Sequence, residues 1–278
     1  MSGYELHCHS NISDGSQPPA EVVRVAKDAG MDGLALTDHD STLGLDDARA
    51  EGERLGVEVI TGCEISSQWK GTSCHILAYF FDPADARLAE ELQWIVDDRV
   101  LRAEKMVQKL QEMGVPITMD QVRRLAGDGV IARPHVAAAM VESGVVRSTV
   151  DAFTPEWIAD GGKAYVGKRT LVPEETVDVI REAGGVAVIA HPIWVEREVG
   201  GTEQLIDMLA ERGLAGVEVA HPDQDPDARA TFGAIADRLG LIRTGSSDYH
   251  GNDHGPVIGI NPVEREVVEA LRARKPAG

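Results

Sequence analysis

Seven short apolar runs in this chain begin or end in residues that can hold a metal ion or move a proton. They are YELHCHS from Tyr4, DGLALTDHD from Asp32, VEVITGCEIS from Val57, TSCHILAYFF from Thr72, GGVAVIAHP from Gly184, LAGVEVAHP from Leu214 and LIRTGSSDYHG from Leu241. Between most of them lie stretches with helical spacing, over 18–30, 42–56, 173–183, 202–212 and 226–239. VIGI and a final helix over 263–273 close the pattern. Strands alternating with helices over this length predict a parallel α/β architecture.

The alternation stops in the middle. Residues 84–113 place Leu88, Leu92, Ile95 and Val96 on one side of a long helix, and helical segments follow over 118–126, 133–143 and 149–160. No strand pattern returns until about residue 185. The spacing therefore predicts a barrel over 1–84 and 169–278, interrupted by a small helical cap domain over 85–168. Closure is preferred to an open doubly wound sheet because the polar residues sit at almost every strand end. In a barrel those ends converge on one face, whereas an open sheet offers a single crevice and scatters many of them away from it.

Nine groups at these ends are candidate metal ligands: His7, His9, Asp14, His39, Glu64, His75, His191, Asp248 and His250. A lone histidine is better expected as a buried, hydrogen-bonded side chain. Six imidazoles and three carboxylates gathered together are hard to satisfy without cations, because clustered carboxylates repel one another. Mixed nitrogen and oxygen ligation suits Zn²⁺, Mn²⁺ or Fe²⁺. Nine ligands are too many for one ion, and two or three ions bridged by a carboxylate such as Glu64 fit the count.

Alternate residues on a strand share a face, so His7 and His9 point one way and Cys8 the other. The same parity turns Cys63 away from Glu64 and Cys74 away from His75. The three cysteines are expected as buried packing residues, with thiolate ligation as the alternative. Their odd number in a chain of this kind argues against a disulfide framework.

Charge narrows the partners. The net charge is −19, divided as +3 over 99–169 and −22 over the remainder. So acidic a body repels long nucleic acids and anionic membranes. No apolar run approaches the roughly 18 residues of a membrane span, and the N-terminus lacks the basic and apolar regions of a secretory signal. A cytoplasmic location is expected.

In order along the chain, HCHSNISDG, ALTDHD, TGCEIS, CHILAYF, AHP and SSDYHG resemble the polymerase and histidinol phosphatase (PHP) family, over nearly the whole length. The inserted segment with ARPHVA is similar to the branch of 3′,5′-nucleoside bisphosphate phosphatases and a related 5′→3′ exoribonuclease. This resemblance implies a distorted (β/α)7 TIM-like barrel and three divalent metal ions. It assigns His7, His9, Glu64 and Asp248 to a first ion, Glu64, His75 and His191 to a second, and Asp14, His39 and His250 to a third. The chain departs from the branch at AHPIWVE, where a Gly-Arg-Tyr-like continuation is usual. It departs again at Lys168 and Arg169, where uncharged residues are usual. Both departures bear on the substrate and not on the reaction type.

The expected activity is metal-dependent hydrolysis of a phosphate monoester on a small nucleotide-like substrate, such as a 3′,5′-nucleoside bisphosphate. Asp248 is expected to orient a metal-bridging hydroxide and take its proton. The alternatives are a 5′→3′ exonuclease on short oligonucleotides, a phosphatase on a metabolite such as histidinol phosphate or a cyclic sugar phosphate, and a non-catalytic metal-binding module. A phosphate dianion favours guanidinium partners. Arg133, at the start of the RPHV helix, together with Lys168 and Arg169, is a candidate substrate contact, and His221 at a strand end is another. Asp40 is a candidate for orienting a ligand, while His135 and His254 are expected mainly in packing and loop roles. GKAYVGKR imitates a phosphate-binding loop, but Arg169 stands where a Ser or Thr would hold Mg²⁺.

Overall fold

The computed structural model describes residues 3–127, 129–167, 171–251 and 255–276, so Lys168, Arg169 and His254 lie outside the described residues. The elements are β1 (Tyr4–Cys8), α1 (Pro19–Asp28), β2 (Gly33–Leu36), α2 (Leu45–Leu55), β3 (Glu58–Trp69), β4 (Thr72–Tyr79), α3 (Ala86–Glu112), α4 (Met119–Ala126), α5 (Arg133–Glu142), α6 (Thr149–Ala152), α7 (Pro173–Glu182), β5 (Val186–Ile189), α8 (Ile193–Val199), α9 (Thr202–Glu211), β6 (Gly216–Ala220), α10 (Pro226–Leu239), β7 (Ile242–Gly245) and α11 (Arg265–Arg272). The strands form one seven-stranded sheet in chain order. Its edges meet where His9 N donates to Tyr249 O at 2.7 Å and Tyr249 N to His7 O at 3.4 Å, so the barrel is nearly closed. The expected TIM-like barrel is the observed fold.

One strand departs from the all-parallel expectation. β4 runs antiparallel to both β3 and β5, while the other neighbouring pairs are parallel. No helix separates β3 from β4. Trp69 pairs with Thr72 across a two-residue turn whose residues, Lys70 and Gly71, have φ of 49° and 86°. Two successive left-handed residues match the twist of a tight hairpin and reverse the chain at once. The start of β4 therefore lies at the barrel face where the other strands end. That reversal explains why His75 is the one ligand candidate at a strand start.

Three smaller readings change. The helix expected over 149–160 is only α6, because Thr154 precedes Pro155, and a residue before proline is pushed out of the helical region. α8 follows directly on His191-Pro192 and was not anticipated. VIGI forms a turn in which Gly259 N donates to Glu5 Oε2 at 3.1 Å.

Two compact units are present, Met1–Leu92 with Thr170–Gly278, and Gln93–Arg169. In the first, Leu34, Leu36 and Cys8 pack against Val22, Val23 and Ala26 of α1 and Ala48 of α2. Burial of each large aliphatic side chain of this kind contributes about 1.5–3 kcal/mol. The second unit has its own core, built on Met106, Leu110, Ile117, Val122, Val136 and Met140. The Thr118–Gln121 capping box starts α4 there. No described helix is long and apolar enough to cross a membrane.

Candidate metal centre

All nine ligand candidates meet at the barrel face formed by the strand ends. β1 supplies His7 and its tip His9, the following loop Asp14, the β2 tip His39, β3 Glu64, β4 His75, the β5 tip His191, and the β7 tip Asp248 and His250. Their donor atoms form overlapping groups in which the atoms lie within 4.8 Å of one another.

His7 Nε2 and His9 Nε2 are 3.1 Å apart, and each lies 3.2 Å from Glu64 Oε2 and 3.2 Å from Asp248 Oδ1. A regular tetrahedron around Zn²⁺-like bonds of about 2.0–2.1 Å has edges of about 3.3–3.4 Å, so His7 Nε2, His9 Nε2 and Glu64 Oε2 are mutually spaced to share one ion, and Asp248 Oδ1 stands at the same distance from both imidazole nitrogens. The other oxygen of the same carboxylate, Glu64 Oε1, lies 2.9 Å from both His75 Nδ1 and His191 Nε2. Glu64 thus offers one oxygen to each of two donor sets. In the third, Asp14 Oδ1 is 3.3 Å from His250 Nε2, and Asp14 Oδ2 is 3.7 Å from His39 Nε2. His9 and His39 each straddle two sets. His9 Nδ1 is 3.7 Å from Asp14 Oδ1, and His39 Nδ1 is 3.0 Å from Glu64 Oε2.

The donor chemistry fits divalent cations. Asp248 Oδ1 and His39 Nδ1 are buried atoms without a hydrogen bond, although each faces other ligand atoms at close range. Buried polar atoms normally find a partner, and lone pairs converging on common points are satisfied by an ion.

Protons occupy the same points when ions do not. Burial pushes the His9 imidazole down, but Asp248 and Glu64 outweigh it and lift His9 to about 10. His7 is lifted well above its usual range, against its burial, by Asp248, Glu64 and Glu218. Glu64 and Asp248 resist the upward push of burial and stay well below the carboxylate range because imidazoles surround them. For His39, burial wins over Glu64 and Asp14, and the ring falls to about 3.

A pH dependence follows. The folded values of His7 and His9 lie above the ordinary 6.5. Their stabilisation is therefore complete below about 6.5 and is lost as pH rises toward about 10. The melting temperature of metal-free protein is expected to fall between pH 7 and 10. The increment on adding Mn²⁺ is expected to grow over the same interval, because ions displace those protons. Thermal melts across that range check it, and a metal-free protein that becomes more stable with rising pH would contradict this arrangement.

The surrounding residues hold the ligands in place. Asp38 accepts from Ser10 N, Ser10 Oγ and Ser13 Oγ at 2.7–2.8 Å, ordering the loop that carries Asp14. Gly15 is required in that loop, since a Cβ there would lie 2.6 Å from His9 O. Asp40 accepts Ser66 N at 2.6 Å, pinning β3 near Glu64. Asp40, His191 and Asp248 all have left-handed φ, at 53°, 24° and 54°. Such conformations in non-glycine residues cost about 1–3 kcal/mol each and concentrate at functional sites. His221 Nδ1 accepts Asp223 N at 3.1 Å, so its proton sits on Nε2, 3.4 Å from Asp248 Oδ2.

Glu218 and Trp194, which touch ligands directly, were not singled out in the sequence. Glu218 on β6 accepts from His7 Nδ1 at 3.1 Å and from His191 N at 2.7 Å. Its signal was a lone carboxylate inside the apolar VEV run. Trp194 on α8 stacks on the His191 ring with centroids 3.7 Å apart, while its Nε1–H donates to Asp223 Oδ2 at 2.8 Å.

Two further candidates stand in the inserted unit. Arg133 belongs to the inserted unit, where it donates to Asp160 Oδ1 at 2.5 Å and lies over the Phe153 and Tyr165 rings. His135 Nδ1 accepts Ala132 N at the start of α5. Among the described residues no cysteine joins a donor group. Cys8, Cys63 and Cys74 are buried and form no disulfide, and burial raises the Cys8 and Cys63 thiols.

Comparison with known proteins bears on this geometry. The PHP domain family matches residues 5–93. A 3′,5′-nucleoside bisphosphate phosphatase from Chromobacterium violaceum is 35% identical, covering 99% of this chain and 98% of that protein. A 5′-3′ exoribonuclease from Haemophilus influenzae is 34% identical, covering 89% of each. The solved structure of a protein assigned as a metal-dependent phosphoesterase, from Bifidobacterium adolescentis, superimposes with a TM-score of 0.89 at 32% identity, over 99% of this chain and 97% of that one.

Proposed function

Since this chain belongs to the PHP family of metal-dependent phosphoesterases, we propose that it hydrolyses a phosphate monoester on a small nucleotide-like substrate such as a 3′,5′-nucleoside bisphosphate. The observation that carries this reading is Glu64, with one oxygen in each of two adjoining donor sets. The ligand assignment is three ions, of Mn²⁺, Zn²⁺ or Fe²⁺. His7, His9, Glu64 and Asp248 would hold the first, Glu64, His75 and His191 the second, and Asp14, His39 and His250 the third. Divalent ions bound there would bring the pKa of a bridging water near neutrality and offset charge on the phosphoryl oxygens. Asp248 orients the nucleophile and accepts its proton, with its Oδ2 side steadied by the His221 Nε2–H.

The experiment is product analysis of a substrate panel with Mn²⁺-loaded protein: inorganic phosphate from nucleoside bisphosphates and histidinol phosphate, ring-opened monoester from a cyclic sugar phosphate, and nucleoside monophosphates from short 5′-phosphorylated oligonucleotides. Absence of product from every member would overturn the proposal.

The oligonucleotide reading is kept because arginines gather in the inserted unit. Burial lowers the Arg102 guanidinium, and the like charges of Arg133 and Arg99 lower it further. Such a gathering of guanidiniums favours a phosphate partner. Arg133 is therefore proposed as a phosphate contact, and the same role for Lys168, Arg169 and His221 remains a proposal. Loss of a charged hydrogen bond costs about 1.5–3 kcal/mol, so Arg133→Ala is expected to raise KM by about 10–100-fold with a smaller change in kcat. Steady-state kinetics on the best substrate checks this, and an unchanged KM would remove Arg133 from the substrate site.

A further inference from the structure

We infer that Glu218 is a positioning residue shared by two of the donor sets, and that it couples their loading. This rests on the metal reading above. Glu218 is fully buried on β6, and its two oxygens face different ligands. Oε1 accepts the His7 Nδ1–H at 3.1 Å and the Ser246 hydroxyl at 2.5 Å. Oε2 accepts the backbone N–H of His191 at 2.7 Å. One carboxylate therefore joins β1, the β5 tip, β6 and the β7 tip.

Each contact has a separate consequence. A proton held on His7 Nδ1 leaves the Nε2 lone pair for the set shared with His9, Glu64 and Asp248. The bond to His191 N holds the amide of a residue whose φ is 24°, and that strained tip aims Nε2 at Glu64 Oε1. Ordering His7 around an ion thus fixes the carboxylate that orders His191, and the reverse holds equally. Three donors converge on Glu218, so an amide cannot replace it. Whichever way a glutamine turned, its NH₂ would face the His7 Nδ1–H or the His191 N–H, neither of which can accept, even where the Ser246 hydroxyl rotates to do so.

The test is Co²⁺ titration of chelator-stripped protein against a competing chelator, with two readouts. Visible Co²⁺ absorption follows the four-donor set. The part of the tryptophan emission that Trp194→Phe abolishes follows the set containing His191, because the two rings are stacked. Glu218→Gln is expected to weaken Co²⁺ binding by about 10–100-fold in both readouts, with kcat recovering toward wild type at saturating metal. Glu218→Asp keeps the charge but withdraws it by one methylene, so it should shift both readouts in the same direction and serves if the glutamine variant does not fold. Ser246→Ala leaves both ligand contacts in place and should stay within about threefold of wild type. Unchanged affinity in a folded Glu218 variant, or a loss confined to one readout, would overturn the inference. Wild-type protein that binds no Co²⁺ would instead overturn the metal reading itself.

Discussion

Glu64→Gln is expected to lower phosphoester hydrolysis by at least about 10³-fold. An amide has the volume of the carboxylate but only one oxygen, and its nitrogen has no lone pair to offer an ion. The substitution removes the atom 2.9 Å from His75 and His191, or the one 3.2 Å from His7 and His9, whichever way the amide turns. Bridged metal pairs supply several kcal/mol of transition-state stabilisation, and each 1.36 kcal/mol is tenfold in rate. The measurement is kcat together with metal content per chain. The fold should survive, because the side chain keeps its shape. Activity near wild type in a protein with reduced metal content would rule out Glu64 as the bridge.

His9→Ala and Cys8→Ser are expected to separate completely, although the residues are neighbours. His9 places one ring nitrogen within 3.2 Å of Glu64 and Asp248 and the other 3.7 Å from Asp14. Its loss should abolish measurable turnover and lower metal content. Cys8 faces the opposite side of β1, packed with Val22 and Leu34, with its Sγ 3.2 Å from Ala35 O. Serine fits there at a stability cost of about 0.5–2 kcal/mol, a few degrees in melting temperature, and kcat should stay within about twofold. Equal damage to kcat from the two would mean that the strand does not alternate as described.

Strand parity in this chain was legible because it depends only on neighbours. A period of two places His7 and His9 together and turns Cys8 away, whatever the rest of the molecule does. The barrel was legible for a related reason: polar residues at the ends of successive strands need a face on which those ends converge. The inserted helices announced themselves through a long gap in the strand pattern. The direction of β4 was less accessible, because it depends on two left-handed residues at a turn whose letters, Lys70 and Gly71, do not demand that geometry. α8 was hidden by its brevity and by its position immediately after His191-Pro192.

The amino-acid order by itself determined which side chains could act and on which face of each strand they stand. The types of donor, nitrogen and oxygen without facing thiolates, also follow from it. Only the tertiary structure decided how those donors are shared. Glu64 divides its two oxygens, His9 and His39 reach toward two sets each, and Glu218 holds His7 and His191 from beneath. The relation between His7 and Glu218 alone spans 211 positions along the chain. These relations depend on barrel closure, and local periodicity carries no information about distances across a closed sheet.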